Sequence, residues 1–318
     1  MRIVAINYIK NVTIIGAGTM GHSIAQVYSQ GLFNVTLVDV HESILEKARM
    51  LISENLETLK EFDYISDQEQ SKVLDRISYT TNLKKAIEKA DLVIEAVNEI
   101  PELKKRVFNE CDKYCSKNAM LVSNTSGLNI FDLVAISNPE RLIIHHWFAP
   151  PHIIPLVEIV KGPQTSEVIT ELSVALLKKL GKKPLVINQY MDNFIVNRIQ
   201  NVISVQVYEM IAKGWATPEQ IDYAIKTSLG IRLPIVGIVQ TQDFTGLDLV
   251  LDVQKRYRMN QRYPQVESMV NQGNLGAKTG RGWYDYGNRE EKEILKERDR
   301  RYLKILRDLQ ELNAFEPI

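Results

Sequence analysis

Short runs of Val, Ile and Leu recur through the first half of the chain. Longer stretches separate them, in which apolar residues return every three or four positions. The runs "NVTII" (11–15), "NVTLVD" (34–39), "DLVIEAV" (91–97), "AMLVSN" (119–124), "RLIIHH" (141–146), "PLVEIV" (155–160) and "PLVIN" (184–188) predict strands. The intervening "MGHSIAQVYSQ" and "HESILEKARMLISENLETLKEF" predict helices. Strands alternating with helices of this length imply a parallel, doubly wound α/β sheet. The early strands are apolar on both faces, as a sheet covered by helices on each side requires. From about Gln189 the texture changes, and "NFIVNRIQNVISVQVYEMIAKG", "TPEQIDYAIKTSLG" and "GLDLVLDVQKRYR" read as helices, with Thr217 or Thr245 as candidate N-caps. The tail "NREEKEILKERDRRYLKILRDLQEL" reads as an amphipathic helix with a solvated charged face. The expectation is therefore an α/β domain over 1–188 and an all-helical domain over 189–318, without repeats or a low-complexity linker.

Length and composition allow two domains or one large one: 318 residues, 45% of them apolar, can bury a substantial core. Lys plus Arg equals Asp plus Glu at 39 each, which speaks against a nucleic-acid or polybasic membrane partner. The opening "MRIVAINYIKNVTII" is short, is interrupted by Arg2 and Lys10, and has no small-residue cleavage site, so no signal peptide is expected. No apolar run is long enough to span a bilayer. Cys111 and Cys115 stand one helical turn apart with no further ligands nearby, and read as two thiols on one helix. A cytoplasmic protein without a metal site is expected.

Chemistry enters with "VTIIGAGTMGHSIAQ", where Gly16-x-Gly18-x-x-Gly21 follows a strand and opens a helix. Gly16 permits the tight turn, Gly18 lets backbone approach a pyrophosphate, and Gly21 lets the helix pack on the strand. The helix N-terminus offers free N–H groups to the phosphates, and Thr19 and Met20 complete the loop. Asp39 ends the next strand, 23 residues after Gly16, where a carboxylate can bind the adenosine ribose hydroxyls. No Arg directly follows it, so NAD is favoured over NADP.

The second candidate site is "IIHHWFAPPHIIPLVEIV" (143–160), which holds three of the five histidines. Pro150, Pro151 and Pro155 force a turn. If the arms fold back antiparallel about His152, position 146 faces position 158. Alternation puts His145 and His146 on opposite faces, so only His146 shares one with Glu158. A buried carboxylate needs a partner, and a paired imidazole is a better base held in one tautomer. Beside a hydride acceptor, such a pair suits oxidation of an alcohol. His145 reads as a packed sheet residue and His152 as a turn residue.

The segments "IIGAGTMG", "DLVIEAVNEIPELKKRVF", "LVSNTSGLNI", "HWFAPPHIIPLVEIV", "NFIVNRIQN" and "GAKTGRGWYDY" together resemble the 3-hydroxyacyl-CoA dehydrogenase family over nearly the whole chain. The resemblance implies a Rossmann-type domain, a helical domain that forms a homodimer, and NAD-dependent oxidation of a hydroxyl β to a carbonyl. It makes His146 the base, Glu158 its acidic partner, and Ser126 and Asn197 the residues holding the substrate oxygen. It places Glu99 and Lys104 near the nicotinamide ribose, with Asn124 as a further candidate cofactor contact. Two positions depart from the family. Ala149 replaces an Asn that follows the His-Phe-Phe of fatty-acyl members, and Asn193 stands where Gly is usual.

The leading expectation is oxidation of an L-3-hydroxyacyl-CoA to the 3-oxoacyl-CoA. "PPHIIPLVE" is more similar to relatives acting on free small hydroxy acids or alcohols, such as gulonate, carnitine or pyridine-ring alcohols. The segment where the family clamps CoA has Lys60, Lys72 and Arg76 but no dense basic cluster, leaving that alternative open. A non-catalytic nucleotide-binding protein is the third reading, and an intact His146–Glu158 pair speaks against it.

Overall fold

The computed structural model describes residues 8–256 and 264–317. The opening stretch through Asn7, and Tyr257 and Arg258 of the expected helix after Gly246, lie outside the described residues. The described chain divides into two compact units, Met1–Val202 and Ile203–Ile318.

The first unit is an α/β sandwich built on eight strands: β1 (Asn11–Ile15), β2 (Asn34–Val38), β3 (Ile77–Thr80), β4 (Leu92–Glu95), β5 (Met120–Ser123), β6 (Leu142–Trp147), β7 (Leu156–Val160) and β8 (Lys183–Ile187). Its helices are α1 (Gly21–Gln30), α2 (Glu42–Glu61), α3 (Asp67–Asp75), α4 (Leu83–Ile87), α5 (Pro101–Tyr114), α6 (Ile130–Leu133) and α7 (Glu167–Lys179). The strand order is β3-β2-β1-β4-β5-β6-β7-β8, parallel except for the antiparallel pair β6–β7. This is a Rossmann-type, doubly wound arrangement.

Central strands β4, β5 and β6 are buried along their whole length, whereas the edge strands β3 and β8 alternate with exposed positions. One core joins Val12, Ile14, Ile143 and Trp147 to α1, α2 and α7, and the other joins Ile15, Val93, Ile144 and Phe194 to α5. Adjacent residues of β6 therefore face different layers. β3 was not expected. It lies in the polar "RISYTT", where a half-exposed edge strand carries too few apolar residues to stand out.

The chain then continues through α8 (Val196–Ala212), α9 (Pro218–Thr227), α10 (Leu229–Thr245), α11 (Leu247–Arg256), α12 (Pro264–Asn271) and α13 (Glu291–Glu311). The second unit has no strand among the described residues. Thr217 caps α9 in a capping box with Gln220. Thr245 does not cap α11: it closes α10, and its hydroxyl donates to the Thr241 carbonyl. Helix α10 was also not expected, because Pro234 and a kink at Gly237 (φ +65°) break its pattern. In this unit the fully buried Asp243 accepts from the Trp283 and Tyr284 N–H groups and the Tyr286 hydroxyl, holding the "GRGWYDY" loop. No helix among the described residues is long and apolar enough to cross a membrane.

Candidate active site

The sheet reverses its winding between β1 and β4, and a crevice opens there beyond the strand carboxyl ends. Gly16 turns the chain at φ +100°, and a Cβ on it would lie 2.6 Å from the Ala96 carbonyl oxygen. A Cβ on Gly21 would meet the Gly16 oxygen at 1.7 Å, so only glycine allows α1 to start so close to β1. Gly18 has open space at the same test, and Gly18 and Thr19 are exposed where a ligand can reach their backbone. Met20 takes the N-cap position without a side-chain bond, so no capping side chain covers the first N–H groups of α1.

A cleft of ≈560 Å³ continues from this turn, lined by Gly18, Asp39, Ile44, Leu83, Leu103 and Val107. Asp39 uses Oδ2 to accept from the Ala17 N–H at 2.8 Å, and Oδ1 has only a 3.4 Å contact from the His41 N–H. An apolar slot with one available carboxylate oxygen fits an adenosine moiety, and the exposed glycine turn fits a pyrophosphate.

The antiparallel register of β6 and β7 sets His146 directly opposite Glu158. His146 Nδ1 lies 2.8 Å from Glu158 Oε2, with both side chains buried. A carboxylate only accepts, so Nδ1 carries the proton, and the neutral ring keeps its lone pair on Nε2. Nε2 lies 3.5 Å from the Asn197 amide nitrogen. The Phe148 and Phe194 rings pack on the imidazole at centroid distances of 4.5 and 5.1 Å. Glu158 Oε1 accepts from the Ile195 and Val196 N–H groups, each at 3.1 Å, where α8 begins. That approach depends on Asn193 and Phe194, both left-handed at φ +61° and +51°. Asn tolerates this region better than other non-glycine residues, which accounts for an Asn at a position that is usually Gly.

His145 points into the other layer, fully buried, and neither ring nitrogen has a hydrogen-bond partner. Burial alone pulls its pKa down to about 3, so it stays neutral. It lacks the means to act as a base beside the pair. His152 is more than a turn residue, because it bonds to Ser23 of α1.

A second polar cluster lies at the ends of β4 and β5. Lys104, 1% exposed, bridges Glu95 Oε1 (2.6 Å) and Glu99 Oε2 (3.0 Å). Burial raises the Glu95 pKa, opposed by Lys104 and by the Ser123 hydroxyl at 2.6 Å. Burial also acts to raise that of Glu99, but the Thr125 hydroxyl and Lys104 hold it below the usual range. Glu99 Oε1 further accepts from the Ser126 N–H at 2.9 Å, so this carboxylate shapes the loop carrying Ser126, whose side chain is exposed. The Asn124 side-chain oxygen accepts from the Trp147 N–H at 3.0 Å, tying β5 to β6. Lys104 thus reaches the site through Glu99, and Asn124 orients the strand next to His146.

Glu95, Ser123, Thr125, Phe148 and Phe194 were not among the sequence candidates. A charged Glu95 in an otherwise apolar strand was the one available signal. Ser123, Thr125 and Phe194 take their partners from distant chain segments, and Phe148 packs on His146 two positions away without a polar group to mark it. Cys111, within α5, and Cys115, its C-cap residue, are free and buried in the core.

The fold and the site define an NAD-dependent oxidoreductase. Residues 11–190 match the NAD-binding domain of 3-hydroxyacyl-CoA dehydrogenase, and residues 194–286 match its C-terminal domain. The chain belongs to the 3-hydroxyacyl-CoA dehydrogenase family. It is 34% identical to a probable 3-hydroxybutyryl-CoA dehydrogenase of Bacillus subtilis, over 87% of this chain and 98% of that protein. It is 29% identical to 5-formyl-3-hydroxy-2-methylpyridine 4-carboxylate 5-dehydrogenase of Mesorhizobium japonicum, over 95% of this chain and 99% of that protein. The crystal structure of 3-hydroxyacyl-CoA dehydrogenase from Archaeoglobus fulgidus is similar with a TM-score of 0.77 and 30% identity, over 95% of this chain and 99% of that one.

Proposed function

We propose that this chain oxidises the hydroxyl of an L-3-hydroxyacyl-CoA to the 3-oxoacyl-CoA, reversibly. The observation that carries the reading is the buried His146–Glu158 pair, which fixes the Nδ1–H tautomer and turns Nε2 toward Asn197. NAD, when bound, supplies the hydride acceptor. His146 Nε2 takes the hydroxyl proton, and Glu158 stabilises the imidazolium that results. Asn197 and Ser126 hold the substrate oxygen near that nitrogen. Gly16, Gly18, Thr19, Met20 and Gly21 hold the pyrophosphate, and Asp39 holds the adenosine ribose. Glu99, Lys104 and Asn124 order the nicotinamide end.

A second reading, a free small β-hydroxy acid or alcohol, is favoured by particular residues. Lys60, in the segment expected to meet CoA, is already paired with Glu57 at 2.6 Å and Asp67 at 3.0 Å. Arg76 donates to the Lys72 carbonyl at 3.1 Å. Ala149 offers no side-chain hydrogen bond, and one relative of nearly the same length acts on a pyridine carboxylate. NADH formation from 3-hydroxybutyryl-CoA, compared with that from 3-hydroxybutyrate, gulonate, carnitine and a pyridine alcohol, separates the two readings. Turnover of the thioester alone supports the first, and of a free substrate alone the second.

The reading extends to the whole chain. A Rossmann domain over 1–188 carries the chemistry, and a helical domain over 189–318 supports substrate binding and homodimerisation. Val205, Tyr208, Tyr223 and Val239 are large apolar residues left exposed on α8, α9 and α10, as a homodimer interface requires. Sedimentation at micromolar concentration tests the dimer. A cytoplasmic location accords with two unpaired thiols.

A further inference from the structure

The turn joining His146 to Glu158 is fastened from two directions, and neither attachment belongs to the base pair. Ser23, 1% exposed, lies in the first turn of α1. Its Oγ accepts from the His152 backbone N–H at 3.0 Å and lies 2.8 Å from His152 Nδ1. With the N–H already directed at the oxygen, the hydroxyl proton is free to point at Nδ1, closing a small ring. Burial, and the nearby His22 and Lys182, lower the His152 pKa and so favour the neutral ring this needs. On the other flank Lys182, 8% exposed, donates to the Pro151 and Ile154 carbonyls at 2.5 and 3.0 Å. His22, next to Ser23, has Nδ1 2.8 Å from the Gly18 carbonyl, which ties the same helical turn to the glycine loop.

We infer that Ser23 and His152 are positioning residues that couple the phosphate-binding end of α1 to the turn between His146 and Glu158. A dinucleotide whose phosphates meet the first N–H groups of α1 restrains that helical turn. Ser23 passes the restraint to His152, and the rest of the turn follows because Lys182 holds its carbonyls. The base pair is then seated relative to the cofactor by a contact distinct from the sheet. This rests on the proposed cofactor-binding turn and base pair, but not on the identity of the substrate.

The test uses the full chain with NADH and three variants. His152→Asn keeps an acceptor where Nδ1 stood, whereas His152→Gln moves it away and Ser23→Ala removes the hydroxyl. Amide hydrogen exchange is read at Ile153 and Ile154, whose N–H groups both donate to the Pro150 carbonyl at 3.0 Å and not to Ser23. NADH is expected to slow their exchange about five-fold or more in the wild type and in His152→Asn. The slowing should vanish in Ser23→Ala and shrink in His152→Gln, which keeps the backbone N–H bond to Ser23 Oγ, although both still bind NADH by fluorescence. Turnover, on whichever substrate the wild type accepts, should fall in kcat more than in KM for NAD, with His152→Asn rescuing it. No NADH-dependent protection in the wild type would overturn the inference, as would protection that persists in Ser23→Ala or a failure of Asn to rescue. A wild type that binds NADH but oxidises nothing would defeat the proposed function while leaving the exchange result decisive for the coupling.

Discussion

Two glutamates, Glu95 and Glu158, are each fully buried in a strand of the same sheet, and their partners differ in kind. Glu95 is bonded by the Lys104 ammonium, the Ser123 hydroxyl and the Val97 N–H. Glu158 is bonded by an imidazole and by two backbone N–H groups. Both satisfy the demand that a buried charge be paired. A lysine so paired fixes the loop around it. An imidazole keeps a second nitrogen that can take a proton and give it back. One buried carboxylate therefore builds the site, and the other equips it to work.

The largest expected effect falls on the titrating partner. His146→Gln should lower kcat by about 10²–10⁴-fold while folding and NAD binding persist. Glu158→Gln should also slow turnover, and the double variant should lose less than the sum, because the two act as a unit. Additive losses in kcat would show that Glu158 does not act through His146.

Next in size is the structural partner. Lys104→Met strands a charge at Glu95 and should cost about 3–5 kcal/mol in denaturant unfolding, with Glu95→Met restoring much of it. If the single variant unfolds at the wild-type midpoint, the cluster at the ends of β4 and β5 is not what holds that loop.

His145 is the control, a buried imidazole with no carboxylate at all. Its folded pKa of about 3 lies below the ordinary imidazole value of 6.5, so the unfolded chain takes up the proton first as pH falls. The associated stability is complete above pH 6.5 and is lost progressively down to about pH 3. At pH 5 the loss is about 2 kcal/mol. His145→Leu should abolish that component of the acid destabilisation and leave the pH profile of kcat/KM unchanged. A profile that loses its limb with His145 would reverse the assignment of the base.

The smallest effect belongs to Asp39, a half-buried carboxylate with one oxygen still available. Asp39→Ala should weaken the preference for NAD over NADP by about tenfold, with little change in kcat. An unchanged ratio of the two kcat/KM values would remove Asp39 from cofactor selection.

Much of this site was legible in the chain because its signals are local. The glycine spacing of 16, 18 and 21 depends on one turn, and the facing of His146 and Glu158 follows from strand alternation about a proline-rich turn. The order of strands and helices was legible for the same reason, since periodicity is a property of neighbours. What escaped was either weakly patterned, as β3 and the kinked α10 were, or assembled across distance. Lys104 meets Glu95 at the ends of β4 and β5, and Glu99 holds the loop of Ser126, 27 residues away. Ser23 meets His152 across 129 residues. No local pattern specifies such pairs, because the burial that makes each partner necessary exists only once the sheet and its two helical layers have closed around them.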